Sequence, residues 1–155
     1  MSEFEDDWTR NLTELPITYR GVVYPWQCDH MNHMNVMWYV GKFDEATWNL
    51  LAQVGLTPSV LRETRRCIVA VKQEIGYQRE LLAGDTVTIR SGVSEVGEKS
   101  IRFFHVMTAN EGCEVAALTI LTGVQIDATS RKACPLTDDV LERARSLVTG
   151  YLPQI

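Results

Sequence analysis

Cysteine is scarce in this sequence: Cys28, Cys67, Cys113 and Cys134, with no CxxC pair. That spacing indicates neither a zinc knuckle nor a thioredoxin-like motif. No apolar run approaches the roughly 18–20 residues that span a bilayer. The first seven residues, Met1 to Asp7, are acidic and do not read as a signal peptide. Basic residues are outnumbered, 15 Lys and Arg against 20 Asp and Glu, so the net charge is −5. General nucleic-acid binding needs a basic footprint and is disfavoured. One anionic small molecule on a local basic patch is not. Together these features predict a cytoplasmic protein with reduced thiols, no nucleic-acid partner and no membrane partner.

The chain of 155 residues is long enough for one domain with a real core and hardly for two. Residues 1–16 are polar and predict a loosely ordered start, with a single domain over 17–155. Residues 17–24 read as a strand stopped by Pro25. From Val36 the period changes: Tyr39, Phe43, Ala46, Leu50 and Val54 fall on one face of a helix. Asn35 is a natural N-cap, Gly55 a natural C-terminal cap, and Pro58 stops continuation. Residues 59–66 predict a short helical turn. Period-two alternation then predicts four strands, near 68–77, 86–93, 101–107 and 115–126, taken as an antiparallel meander. Leu136 to Val148 reads as a last amphipathic helix. One long apolar helix wrapped by a curved antiparallel sheet is an α+β arrangement.

The segment from Tyr24 to Tyr39 holds Asp29, His30, Asn32, His33 and Asn35 in a cluster unlike any other in the chain. Asp29 lies seven residues before the first helical turn, so the loop can fold it back onto the helix N-terminus. The backbone N–H groups there are unpaired and carry the positive dipole end. A carboxylate beside such donors can attack a carbonyl while they hold the developing oxyanion. The plain alternatives are a turn-capping Asp29 and a helix-capping Asn35. Asp29, His30 and His33, with His105 in reserve, are numerically enough for a catalytic metal site, but their spacing matches no ligand signature. Cys28 beside His30 invites a Cys-His hydrolase reading, yet adjacent residues seldom reach the needed geometry, and a buried Cys is preferred.

Asp29, Asn32, His33-Met34-Asn35-Val36 and Tyr39 resemble the motif of hotdog-fold acyl-CoA thioesterases of the 4-hydroxybenzoyl-CoA thioesterase type. Phe43-Asp44-Glu45-Ala46, Ile75 to Leu81 with Gly84-Asp85, and Ile126-Asp127 with Arg131-Lys132 and Pro135-Leu136 continue the likeness, over about residues 17–146. Two positions depart from the family pattern: Val36 replaces a second Asn, and Asn32 stands where Gly is common. The resemblance implies a hotdog fold and hydrolysis of an acyl-CoA to a carboxylic acid and coenzyme A, without metal or organic cofactor. It makes Asp29 the nucleophile or general base and the Val36 backbone N–H an oxyanion donor. His33 and Asn35 would orient the carbonyl, with Glu45 as the reserve carboxylate. Arg65, Arg66, Arg131 and Lys132 are the preferred contacts for the coenzyme phosphates. Tyr24, Trp26, Trp38, Tyr39 and Trp48 cluster around the site in sequence and, if not simply core, could grip a cationic, betaine-like acyl group by cation–π contact; Trp26, Trp38 and Tyr39 are the preferred contacts. Family members form homodimers by edge-to-edge sheet pairing, and dimers often pair again into tetramers. The competing functions are a hotdog dehydratase or hydratase and a non-catalytic acyl-CoA-binding module.

Overall fold

A computed structural model describes residues 11–111 and 114–155. Residues 1–10 and 112–113, with Cys113, lie outside the described residues. The elements run β1 Ile17–Val22, a 3-10 turn Pro25–Gln27, α1 Val36–Gln53, α2 Pro58–Thr64, β2 Arg66–Tyr77, β3 Thr86–Val96, β4 Ser100–Ala109, β5 Val115–Asp127 and α3 Asp138–Ser146. The five strands form an antiparallel sheet in the order β1-β3-β4-β5-β2. No helix among the described residues is long and apolar enough to cross a membrane.

The apolar stripe on α1 lies against this sheet as its spacing predicts. Tyr39, Phe43, Ala46, Leu50 and Val54 are all buried. Asn35 caps the helix, its side chain accepting from the Met37 N–H. Gly55 takes the left-handed φ of +91° after the last turn.

The four-strand meander needs correction. Only β3, β4 and β5 form one; β2 skips β3 and pairs with β5 at the far edge. The connection after β2 is too long for a tight hairpin and is pinned elsewhere. Leu81 is fully buried, and its carbonyl accepts the Met34 N–H at 2.7 Å. The connection is thereby drawn under the start of α1 instead of turning back.

The start of the chain also differs from expectation where it is described. Residues 11–14 are helical. Leu12 and Leu15 are buried with Phe104, Val106 and Ile120, and Tyr151 packs against this cluster.

The two sheet edges are treated differently. On β1, Asn49 donates to the Thr18 carbonyl at 2.6 Å and Lys42 to the Val22 carbonyl at 3.4 Å. Lys42 is buried, satisfied also by the Tyr19 hydroxyl. Among the described residues no helix side chain hydrogen-bonds to the β2 backbone. β2 thus presents an open edge, the kind that a second chain covers.

A polar chain crosses the core. His105 is fully buried, with Thr47 on Nε2 at 2.9 Å and Ser91 on Nδ1, and Ser91 meets Thr18 at 2.6 Å. Thr47 donates its own proton to the Phe43 carbonyl. The His105 Nε2–H must therefore donate to Thr47, which leaves Nδ1 to accept from Ser91. This fixes one neutral tautomer and links α1, β4, β3 and β1.

Burial pushes the His105 imidazole down to about 3 from its ordinary 6.5. Below pH 6.5 the unfolded chain binds a proton that the folded chain refuses. Stability from this group is thus full above 6.5 and lost as pH falls toward 3, at up to about 1.4 kcal/mol per pH unit. Urea unfolding at pH 7.5 and pH 5 should show a larger loss for wild type than for His105→Gln. Equal losses would contradict the neutral, buried state.

Candidate active site

The loop between β1 and α1 closes on itself before it reaches the helix. Cys28 and Met34 form an isolated antiparallel bridge, and the Asp29 N–H donates to the His33 carbonyl at 3.2 Å. Between them Asn32 holds φ at +64°. Asn tolerates this left-handed conformation better than most residues other than glycine. The same constraint accounts for glycine being common at this position in the resembled motif.

This small loop presents Asp29 to the start of α1. Oδ2 accepts from the Asn35 side-chain amide at 2.8 Å, and Oδ1 from the Met31 N–H at 2.9 Å. These bonds, Asn35 first, hold the carboxyl below its ordinary 3.8. Asn35 acts in two directions, since its Oδ1 also takes the Met37 N–H at 3.0 Å. The Trp38 N–H goes to the Asn35 carbonyl. Among the described residues no acceptor meets the Val36 N–H, and Val36 is exposed. A carboxylate fixed by the helix cap and an unused backbone donor thus both lie at the positive end of an 18-residue helix.

A cavity of about 230 Å³ opens on the Val36 side of the helix start, and Asp29 is not among its lining residues. His33, Val36 and Tyr39 line it from the loop and helix, and Tyr77 to Glu80 from the end of β2. His33 Nε2 is 3.5 Å from Glu80. The Tyr39 hydroxyl donates to the Arg79 carbonyl at 3.0 Å, and burial pushes it up to about 12, so it stays protonated. Tyr77 meets Tyr39 edge-on at 5.3 Å. Tyr77 was absent from the expected site because β2 pairing, not local spacing, brings it to α1.

The other expected residues are dispersed. Glu45 lies beside β1 with Ile17 to Arg20 and Asn49, and shares no cavity with Asp29. Trp26 is exposed and stacks on Tyr24 at 4.4 Å. Trp38 packs against the core with Val23 and Cys28. Of the five expected aromatics only Tyr39 lines the cavity beside His33, and Trp48 lines a different one. Among the described residues no group of three or more His, Cys, Asp or Glu is placed to hold a metal ion, so Asp29, His30, His33 and His105 do not assemble. His105, already bonded on both nitrogens in the core, is not available for dehydratase chemistry.

The basic residues converge, but at the other end of β2. Arg66 pairs with Asp127 across the β2–β5 ladder, ion-paired at 2.5 Å. The Ala128 N–H donates to the Arg65 carbonyl, and the Asp127 N–H to the Lys132 carbonyl. Asp127 also accepts from the Thr129 and Ser130 N–H groups, which tightens the turn that carries Arg131 and Lys132. At about 3.3 Å per residue, β2 separates this corner from Tyr77 by roughly 35 Å.

The sequence matches the family model of the thioesterase-like superfamily over residues 23–144. Three solved structures share the architecture. A putative thioesterase of Pseudomonas putida is 21% identical, with TM-score 0.77, covering 90% of this chain and 92% of that one. A hypothetical protein of Staphylococcus aureus in complex with CoA is 16% identical, with TM-score 0.82 and 90% of each chain covered. A Thermus thermophilus thioesterase complexed with coenzyme A and zinc is 26% identical, with TM-score 0.73, covering 86% and 94%. No curated protein matches the sequence. The chain belongs to the thioesterase-like superfamily, and its fold is the hotdog fold of thioester hydrolases.

The Asn35 amide is the first cause of the low Asp29 pKa, which gives a test of the geometry. Asn35→Ser keeps a helix-capping oxygen but loses the amide donor. Its Asp29 should titrate closer to 3.8 by carboxyl NMR, with helix stability changed by less than about 1 kcal/mol. An unmoved Asp29 titration would show that the 2.8 Å contact does not hold the carboxylate.

Proposed function

We propose that this protein is an acyl-CoA thioesterase in which Asp29 is the nucleophile. The observation that carries the reading is the ionised Asp29 carboxylate, fixed by Asn35 beside the free Val36 N–H. Asp29 attacks the thioester carbonyl, and the carbonyl oxygen becomes an oxyanion on the Val36 N–H. Collapse expels coenzyme A as a thiolate, which takes a proton from water, and leaves a mixed anhydride on Asp29. Water then cleaves the anhydride to the carboxylic acid and restores the carboxylate. A general base works best with a pKa near the working pH. A carboxyl held below its ordinary value suits a nucleophile better. His33 on the cavity wall orients the carbonyl. Within one chain Trp26, Trp38 and Tyr39 point three ways and do not by themselves form an aromatic cage. Cys28, Cys67 and Cys134 are unpaired thiols, which suits the reducing cytoplasm.

The working unit is a homodimer with shared sites. The open β2 edge and the exposed apolar residues Val36, Met37, Val40, Trp48 and Val71 supply the motive. Antiparallel pairing of β2 with its copy about a two-fold axis sets one protomer's Arg66 end against its partner's Tyr77 end. The coenzyme phosphates then rest on Arg65, Arg66, Arg131 and Lys132 of the chain opposite the attacking Asp29. The covered outer face at Phe104 and Val106 offers no similar motive for pairing dimers again.

Thiol release from acyl-CoA should fall at least a hundredfold in Asp29→Asn with folding retained. Equal rates in the two proteins would refute the mechanism, and release by neither would favour a binding module. Shared sites predict complementation: inactive Asp29→Asn mixed with a weak Arg65→Glu/Arg131→Glu variant should exceed both parents after subunit exchange. Activity no higher than the parents' average would place each site within one chain.

A further inference from the structure

A second cavity, larger than the one beside His33, does not contain Asp29. It is a groove of about 720 Å³ where α1, α2 and the start of β2 meet. Its walls are Trp48 from α1, Pro58 and Leu61 from α2, and Cys67 and Ile68 from β2. No carboxylate lines it. Trp48 is 44% exposed here, a large apolar side chain left in contact with water. Helix α2 fully buries none of its residues; Leu61 packs on the core from one side and is left partly exposed to this groove.

The lip of the groove is cationic. Arg62, Arg65 and Arg66 border it. Arg66 is engaged by Asp127, whereas Arg62 and Arg65 have no ion-pair partner among the described residues. In a chain of net charge −5 this is a local reversal of sign. A groove with a carbon-lined floor and a guanidinium lip fits an amphiphile with an apolar tail and an anionic head.

We infer that this groove takes the acyl chain and that the substrate class is acyl-CoA with an extended aliphatic acyl group. The inference rests on the thioesterase reading and names its substrate class. The β2 pairing described above lays the groove beside the partner's Tyr77 end, and so beside the small cavity that Tyr77 shares with Val36 and Tyr39 at the start of α1. The thioester then lies at Asp29 of one chain and both ends of the molecule run to the other, the tail into the groove and the pantetheine arm folded back so that the phosphates meet Arg131 and Lys132 beside its lip. The size is that of a site for a drug-sized ligand and exceeds what a two-carbon acyl group can fill. Leu61 from the helix and Ile68 from the strand, which both line the groove, set how much chain enters.

The test uses S-alkyl-CoA thioethers, ethyl, hexyl and dodecyl, titrated into the full chain by calorimetry. Affinity should rise two- to fourfold with each added methylene until the groove is full. Leu61→Trp and Ile68→Trp, which fill it from the helix and from the strand, should each flatten that rise. Val60→Trp, on the same helix but not lining the groove, should keep it. A flat wild-type series, or a slope unchanged in both filling variants, would overturn the assignment. Thiol release from the matching acyl-CoAs runs in parallel. A steep alkyl series with no thiol release would sink the hydrolase and leave the groove assignment standing. Thiol release with a flat series would do the reverse.

Discussion

The site depends on one side chain that bonds in two directions. Asn35 must cap α1, because the first N–H groups of an 18-residue helix have no internal partner. Its oxygen serves Met37, which leaves its amide free to reach back to Asp29. Helix initiation and carboxylate placement are therefore a single event. With Met37 served by the side-chain oxygen and Trp38 by the backbone carbonyl, the N–H left over is that of Val36. A cap that used Val36 would have consumed the donor the chemistry needs.

The rest of the fold holds that helix end in place. The stripe from Tyr39 to Val54 seats α1 in the curve of the sheet. The His105 chain fixes its rotation by linking Thr47 through Ser91 to Thr18. Leu81 draws the connection after β2 under the loop, which places Tyr77 to Glu80 opposite His33. The price of this arrangement is an open β2 edge, and the proposed dimer turns that edge into the joint across which the site is completed.

Much of this was legible in sequence because it is local. Asn35, the helix stripe, the Gly55 stop and the Asp29–Asn35 spacing all act within a few turns of chain. Asn32 was legible as a departure from a family pattern and became physical only with its left-handed φ. What stayed hidden depends on pairing across the sheet. Alternation identified β2 as a strand but could not say that it joins β5. That single fact moves Tyr77 into the site and carries Arg65 and Arg66 roughly 35 Å from it. The aromatics misled for the opposite reason. Trp26, Trp38 and Tyr39 are close in sequence, but a 3-10 turn and helical rotation send them three ways. Lys42 and Thr47 are polar and nonetheless buried, because β1 and His105 supply the partners that their polar atoms require.

The most direct test of the central claim is a crystal structure with a non-hydrolysable acyl-CoA ketone analogue. The account predicts the ketone oxygen within about 3 Å of the Val36 nitrogen, and an Asp29 carboxylate oxygen about 3–3.5 Å from the carbonyl carbon. A carbonyl bound away from the start of α1, with Asp29 still turned only toward Asn35 and Met31, would contradict it.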